Sequence, residues 1–188
     1  MGEREVKASS KVDSQVCYFA YGSNMHPRAM RAVCPNAKAL GVALLNGRRL
    51  VFRGAISSVV DPNAYLEGVL WSLNGDEVHN LDAWERCPEI YLREEVTVAV
   101  CPPSPRAPAF IYVMRAKEAR EGLGAPGAAY LALVLEAARI WGIPEQNIRA
   151  AAQLAGQAGN TQAATMPWPD EYWANVLSGP DQKSRHSR

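Results

Sequence analysis

The feature that most constrains this chain is a short apolar segment that ends abruptly in a Gly-Ser-Asn turn, within residues 16–24. Residues 16–21 are mostly β-branched or aromatic, a composition typical of a buried strand. Pro27 follows soon after the turn, where the first turn of a helix tolerates its missing N–H. We therefore expect a strand, a loop and a helix in succession. Main-chain N–H groups of the loop could then bind a small anion, and Gly22 would let it approach closely.

A glutamate at the end of a later predicted helix is the candidate for acid–base chemistry. Asn74, with Glu77 three residues on, predicts the start of this helix, which runs to about Glu85. At about 100° per residue, Val78, Leu81 and Glu85 lie on one side of the helix. Burial and the carbonyl groups at the helix C-terminus both disfavour the ionised carboxylate, so we expect a raised pKa, suited to a general base near neutral pH.

A second interpretation of Glu85 remains open from the residues alone. The last turn of the helix could fray, and Glu85 could then pair with Arg86 or Arg93 at the surface.

The segment at residues 18–24, Tyr-Phe-Ala-Tyr-Gly-Ser-Asn, resembles the signature Tyr-x-Ala/Val-Tyr-Gly-Ser-Asn of the gamma-glutamylcyclotransferase family. That family converts a gamma-glutamyl amide into 5-oxoproline and a free amine. Further pieces follow in the family's order: a strand at 67–73, Leu-Asp-Ala-Trp-Glu at 81–85, Tyr91, and the start of a long helix at 125–130. The resemblance covers about residues 16–155. It implies a mixed α/β (α+β) fold, a small mixed β-barrel flanked by helices.

The resemblance also implies the roles of individual residues. Glu85, which closes a Leu-Asp-x-x-Glu segment, would be the catalytic acid/base, and no cofactor or metal would be required. The substrate would supply its own nucleophile, the α-amine, so the protein has to fold the substrate and move protons. The substrate-binding residues would be the loop segment and two tyrosines: Tyr18, Phe19, Ala20, Tyr21, Gly22, Ser23, Asn24, Tyr91 and Tyr130.

Two departures from the family pattern concern the substrate pocket. Many members read Pro-Ser-Pro-x-Tyr where this chain has Pro-Gly-Ala-Ala-Tyr at residues 126–130, so the wall around Tyr130 lacks the serine and the second proline. The glutathione-specific branch usually carries Leu where this chain has Asn24. Glutathione is therefore the less favoured substrate, and the leaving amine is left open.

Composition bounds the class of protein. The chain has 188 residues, 48% of them hydrophobic, with a net charge of +1, which fits one globular domain and provides no basic face for nucleic acid. No segment approaches the roughly 18 apolar residues of a membrane helix, and the first residues lack the apolar core of a signal peptide. We expect a cytoplasmic protein with no membrane contact, and the family resemblance implies a small gamma-glutamyl molecule as its partner. Its oligomeric state is not apparent from the sequence.

The chain divides into three predicted regions, a loose tail at 1–14, the main domain at 15–155 and a C-terminal extension at 156–188 whose aromatic residues could dock on the core. Short strands are predicted at 39–45, 49–53, 57–60, 64–73, 89–100 and 109–115. Asn46-Gly47 predicts a hairpin turn between the first two. Helices are predicted at 128–141 and 144–154, and Gly142 ends the first of them.

Two other functions stay open at this point. A noncatalytic binding module could keep the fold and the loop without turnover. A thiol hydrolase could use Cys87 with His26 or His79, although no Gly-rich elbow surrounds that cysteine. The cysteines are irregularly spaced and lack companion histidines, so reduced thiols are expected rather than a zinc site or disulfides. They are Cys17, Cys34, Cys87 and Cys101.

Overall fold

The structure is a computed structural model, and it describes residues 15–100, 106–115, 122–158 and 169–178. Within these ranges five strands form a closed barrel in the order β1-β3-β2-β4-β5. The pairings are antiparallel except between β1 and β5, which run parallel where Tyr18 meets Phe110. The strands are β1 (Val16–Ala20), β2 (Lys38–Arg53), β3 (Ala55–Leu73), β4 (Tyr91–Val100) and β5 (Arg106–Met114).

Five α-helices in the described ranges flank the barrel, which confirms the predicted mixed α+β fold. They are α1 (Pro27–Val33), α2 (Gly75–Trp84), α3 (Ala128–Trp141), α4 (Gln146–Gln157) and α5 (Asp170–Ser178). A short 3-10 helix, Ser23–Met25, connects β1 to α1. Fully buried apolar side chains of β1, β2 and α3 join in one core, among them Phe19, Phe52 and Leu133.

The predicted hairpin turn at Asn46-Gly47 is wrong. Asn46 pairs with Tyr65 and Arg48 with Val60, so β2 continues through this point and only its register shifts. Gly47 has a φ of +81°, which glycine tolerates because it has no Cβ, and it lies at the register shift, where residues 61–64 of β3 stand against this one residue of β2. The four short strands predicted between residues 39 and 73 are therefore two long ones.

The turn that joins these two long strands lies at Gly54 instead. Arg53 pairs with Ala55 across it, and Gly54 has a φ of +77°. Gly54 also donates to the Gly124 carbonyl at 2.8 Å, and Gly124 donates to Phe52 at 3.0 Å, which fixes the tip of the turn. The turn brings residues at the start of β3 to the end of the barrel where β1 leaves.

The start of α2 follows the prediction. The Asn74 side chain accepts from the Glu77 N–H at 2.9 Å, and the Glu77 carboxylate accepts from the Asn74 N–H at 3.2 Å. Glu77 is buried and also accepts from the Asn36 N–H at 2.6 Å, so the cap ties α2 to the end of α1. The cap sets where α2 begins. The length of α2 then places Glu85 at its C-terminal end.

The remaining predicted helices and strands are present with small shifts, while the predicted tail at 1–14 lies outside the described ranges. Helix α4 begins and ends two to three residues later than predicted. The proline-rich turn after β4 lies largely at residues 101–105, beyond the described residues, as do Cys101 and Trp168. The three described cysteines are free thiols. No helix among the described residues is both long and apolar enough to span a membrane.

Candidate active site

One narrow cavity brings together the loop after β1, the end of α2 and a group of tyrosines. It lies where β1 leaves the barrel, beside the start of β3. Two larger clefts, one between β3 and α4 and one along β1, β4 and β5, contain neither the loop nor Glu85. The cavity is lined by Tyr18, Tyr21, Gly22, Ser23, Asn24, Ile56, Glu85, Tyr91, Tyr112 and Tyr130.

The loop presents its main chain because the 3-10 helix begins directly after β1. Met25 donates to the Gly22 carbonyl at 3.0 Å and His26 to the Ser23 carbonyl at 2.9 Å. The N–H groups of Ser23 and Asn24 precede these bonds, so the turn itself provides no acceptor for them. Since Ser23 and Asn24 line the cavity, we expect these N–H groups to be the main-chain donors for an anionic or carbonyl oxygen there.

Gly22 is required by space, because a side chain here would collide with its neighbours. Its φ is −133° and its ψ is −141°, outside the left-handed region. A Cβ at this position would lie 2.5 Å from Cγ2 of Ile56 and 3.4 Å from the Tyr130 hydroxyl. The absence of a side chain at Gly22 therefore allows Ile56 and Tyr130 to close around the loop.

Glu85 faces the loop across the cavity. It is the C-cap of α2, held by its N–H to the Leu81 carbonyl at 2.8 Å, and one carboxylate oxygen accepts from Nδ2 of Asn24 at 2.8 Å. Burial raises the pKa of Glu85 to about 7, and the hydrogen bond from Asn24 opposes part of that rise. A carboxyl group with this pKa can take up and release a proton near neutral pH.

Asn24 connects Glu85 to the barrel. Its Nδ2 also donates to the Tyr18 hydroxyl at 3.1 Å, while its Oδ1 is buried and has no hydrogen-bond partner among the described residues. Buried polar atoms are normally paired, so this oxygen is available to a donor on a bound molecule. Two hydrogen-bond acceptors, Asn24 Oδ1 and the Glu85 carboxylate, are therefore provided by neighbouring side chains of the cavity.

Two tyrosines of the cavity are fixed by hydrogen bonds to the main chain. Tyr91 donates to the Ile56 carbonyl at 2.7 Å, and Tyr21 donates to the Tyr112 carbonyl at 2.5 Å. Burial is the main cause that raises the pKa of Tyr21, Tyr91 and Tyr130 above the ordinary value, so these hydroxyls stay protonated at neutral pH. They therefore cannot act as bases, and the single hydroxyl protons of Tyr21 and Tyr91 are already donated to these carbonyls.

Most of the residues expected in the site are brought together, but two are not. Phe19 and Ala20 are fully buried, and neither lines the cavity. Phe19 packs against Tyr21 with its ring centroid 6.4 Å away, and so supports the site from behind. Successive side chains along β1 point to opposite faces of the strand. This alternation does not by itself indicate which face lines the cavity.

Two cavity residues, Ile56 and Tyr112, are not predicted from the sequence. Ile56 precedes the predicted strand at 57–60, although it lies within β3. Tyr112 is predicted only as part of a strand, yet its hydroxyl donates to the Asp82 carboxylate at 2.8 Å, and Asp82 pairs with Arg93 at 3.3 Å. Arg93 and Tyr112 are cross-strand neighbours in β4 and β5. A predicted β4–β5 hairpin in this register would have placed Tyr112 beside Arg93 and the end of α2.

The geometry does not favour Cys87 as a nucleophile. Cys87 is half-buried and does not line the cavity, and burial raises the pKa of its thiol, which opposes the reactive thiolate. His26 caps α1 by accepting from the Arg28 N–H at 3.1 Å, and His79 contacts the Gly75 carbonyl of its own helix at 2.9 Å. Across the described ranges, no group of three His, Cys, Asp or Glu residues could hold a metal ion.

The raised pKa of Glu85 predicts a pH-dependent effect of Glu85→Gln on stability. Glu85 should lose its proton near pH 4.5 in the unfolded chain but only near pH 7 in the folded protein. Between these values the folded state binds more protons, so wild-type stability falls as pH rises. The glutamine variant lacks this dependence and should gain stability relative to wild type up to about pH 7, with no further gain above it. Urea unfolding of both proteins across this window measures the difference, and a constant difference would show that Glu85 titrates normally.

Comparisons with known proteins agree with this architecture. A family model described as gamma-glutamyl cyclotransferase, AIG2-like, matches residues 18–132. A solved gamma-glutamyl cyclotransferase is 22% identical with a TM-score of 0.65, covering 88% of this chain and 99% of its own. An uncharacterized protein from Homo sapiens is 20% identical with a TM-score of 0.64, covering 87% and 98%.

A third structure, YkqA from Bacillus subtilis, is 21% identical with a TM-score of 0.61, covering 78% of this chain and 56% of its own. At these identities the solved structures establish the fold alone. The comparison with curated proteins finds no match.

Proposed function

This chain belongs to the gamma-glutamyl cyclotransferase, AIG2-like family, and from that membership and the site geometry we propose that it cyclises a gamma-glutamyl amide to 5-oxoproline and releases a free amine. The observation that carries the proposal is Glu85, a carboxyl group with a pKa of about 7 that lies 2.8 Å from Asn24 of the loop. A proton acceptor next to main-chain donors is the arrangement that this reaction requires.

The reaction begins at the α-amine of the substrate. The α-ammonium gives a proton to Glu85, and its nitrogen then attacks the gamma-carbonyl carbon to close a five-membered ring. Because nucleophile and carbonyl belong to one molecule, the attack avoids the entropy cost of a bimolecular step. Asn24 Oδ1, which lacks a partner among the described residues, and the Glu85 carboxylate are suitable acceptors for this ammonium group.

The second half of the reaction breaks the amide bond. Glu85 passes the first proton to the leaving nitrogen, and the bond from the gamma-carbon to that nitrogen breaks as the carbonyl re-forms. The ring nitrogen then gives its extra proton to the freed Glu85 carboxylate, which releases it to solvent. The N–H groups of Ser23 and Asn24 can donate to the oxygen on which negative charge develops. Tyr91 and Tyr130, protonated at neutral pH, wall the glutamyl end of the pocket.

The test is release of 5-oxoproline from a panel of gamma-glutamyl compounds whose leaving groups are an amino acid, a polyamine or the side chain of lysine. Purified protein should release 5-oxoproline and amine in equal amounts from at least one of them. The panel also identifies the leaving amine, which the described pocket does not specify.

We expect N-acetylation of the substrate to abolish turnover. Acetylation removes the nucleophilic lone pair and the positive charge of the α-amine, so neither ring closure nor proton transfer to Glu85 can occur. An α-linked glutamyl peptide should also fail, since its amide lies at the wrong carbon for this ring. Amine release is measured for each compound beside the unmodified substrate. Release from the N-acetylated compound at a comparable rate would indicate ordinary hydrolysis.

A further inference from the structure

The helix that carries Tyr130 begins without a capping side chain of its own. Gly127 is the N-cap of α3 and makes no side-chain capping bond. The first N–H groups of a helix have no partner within the helix, and Ser, Thr, Asp or Asn at the N-cap usually accepts from one of them. In this chain the acceptor has to come from another element.

Asp170, the first residue of α5, supplies that acceptor. Its Oδ2 accepts from the Ala129 N–H at 3.1 Å and its Oδ1 from the Tyr130 N–H at 3.0 Å. A carboxylate at this end of a helix is also favoured by the helix dipole. The approach is possible because residue 127 is glycine, since a Cβ there would lie 2.5 Å from Oδ1 of Asp170.

Helix α5 is held against three elements that carry the candidate site. Trp173 is 2% exposed, and its ring packs edge-on against Tyr130 at 5.2 Å and against Trp84, the neighbour of Glu85, at 6.1 Å between centroids. At the other end of α5, Arg28 of α1 donates to two carbonyls of the last turn at 2.6 and 2.8 Å. The helix therefore joins the elements that hold Tyr130, Glu85 and the loop.

We propose that Asp170 is a positioning residue, which caps α3 from α5 and thereby holds the Tyr130 hydroxyl against the loop at Gly22. The inference rests on the proposed function, because the effect of Asp170 is measured as KM for the gamma-glutamyl substrate. Asp170 bonds to the main chain of Tyr130 and does not line the cavity. It acts on the substrate only through Tyr130.

Asp170→Ala should raise KM for the gamma-glutamyl substrate about three- to tenfold, with a smaller change in kcat. The pocket wall at Tyr130 loses its anchor, whereas Glu85 keeps its bond to Asn24. Asp170→Asn should fall between wild type and Asp170→Ala, because its single amide oxygen can accept from only one of the two N–H groups that the carboxylate caps. Steady-state kinetics are measured at a temperature where circular dichroism shows every variant fully folded, so that loss of stability alone does not alter KM.

A substitution at Gly127 provides the matched control. Gly127→Ser alone should impair the enzyme, since the new Cβ would collide with the Asp170 carboxylate. In the Asp170→Ala background the serine has room and can cap α3 itself, so the double variant should recover a KM near wild type. Two independent destabilising changes would instead make the double variant worse than either single one, which would overturn the proposal.

Hydrogen exchange at the Ala129 and Tyr130 amides measures the cap without turnover. Exchange should be faster in Asp170→Ala and slow again in the double variant. Faster exchange with an unchanged KM would overturn the positioning role while the cyclotransferase activity stands. Slow exchange in a wild-type protein that turns over no gamma-glutamyl compound would refute the proposed function, and the positioning role with it.

Discussion

Glu85→Gln is expected to lower kcat about 10² to 10⁴-fold, the range typical of a lost general acid/base, while KM changes little. Glutamine has nearly the same shape and can stay beside Asn24, but it cannot accept a proton and return it. Steady-state kinetics of 5-oxoproline release measure the change, and circular dichroism verifies the fold.

Two control variants separate the role of Glu85 from general effects of substitution nearby. Glu89→Gln removes a carboxylate that is exposed and paired with Arg86, so it should leave kcat near wild type. Cys87→Ala should also have little effect, because the thiol lies outside the cavity. Near-normal turnover in Glu85→Gln, or a larger loss in Cys87→Ala, would remove Glu85 as the catalytic base.

Gly22→Ala is expected to cause the second-largest loss, at least tenfold in kcat/KM, together with a loss of about 1–3 kcal/mol in the free energy of unfolding. The new methyl group would lie 2.5 Å from Cγ2 of Ile56, a β-branched side chain with little freedom to rotate away. Either Ile56 or the loop has to move, and both line the cavity. Kinetics and urea unfolding of the same preparation measure the two effects.

Gly75→Ala is the matched control for this change. Gly75 begins α2, and no described atom lies within 4 Å of a Cβ added there. Alanine should be tolerated, with activity and stability near wild type. Equal effects of the two substitutions would show that the contact of Gly22 with Ile56 does not matter for the site.

The parts of this account that sequence reasoning could reach are those specified by neighbouring residues. The capping box of Asn74 and Glu77 fixes the start of α2, and helical spacing then places Glu85 on the side of Val78 and Leu81. The strand, turn and proline around Gly22 likewise specify β1, the loop and α1 locally. The physical causes are a helix cap, the helical period of apolar residues and the fixed φ of proline. Each lies within about ten residues of the structure that it specifies.

What the sequence could not show depends on contacts between distant residues. Asn46-Gly47 has the residues of a hairpin turn, but β2 pairs with β3 on both sides of Gly47, so only a register shift lies there. Ile56 and Tyr112 reach the cavity because the barrel closes around β1. Asp170 caps a helix that begins more than forty residues earlier, and no local pattern connects a carboxylate with a glycine at such a separation.

The central claim, that Glu85 and the loop cyclise a gamma-glutamyl amide, is tested most directly by running the reaction in water enriched in oxygen-18. Mass spectrometry of the products identifies the acyl product and shows whether solvent oxygen has entered it. Ring closure by the α-amine predicts 5-oxoproline without the heavy isotope, equimolar with the amine, and formed about 10² to 10⁴-fold more slowly by Glu85→Gln. Glutamate that carries the heavy isotope would show that water attacked the carbonyl, and it would contradict the cyclotransferase mechanism.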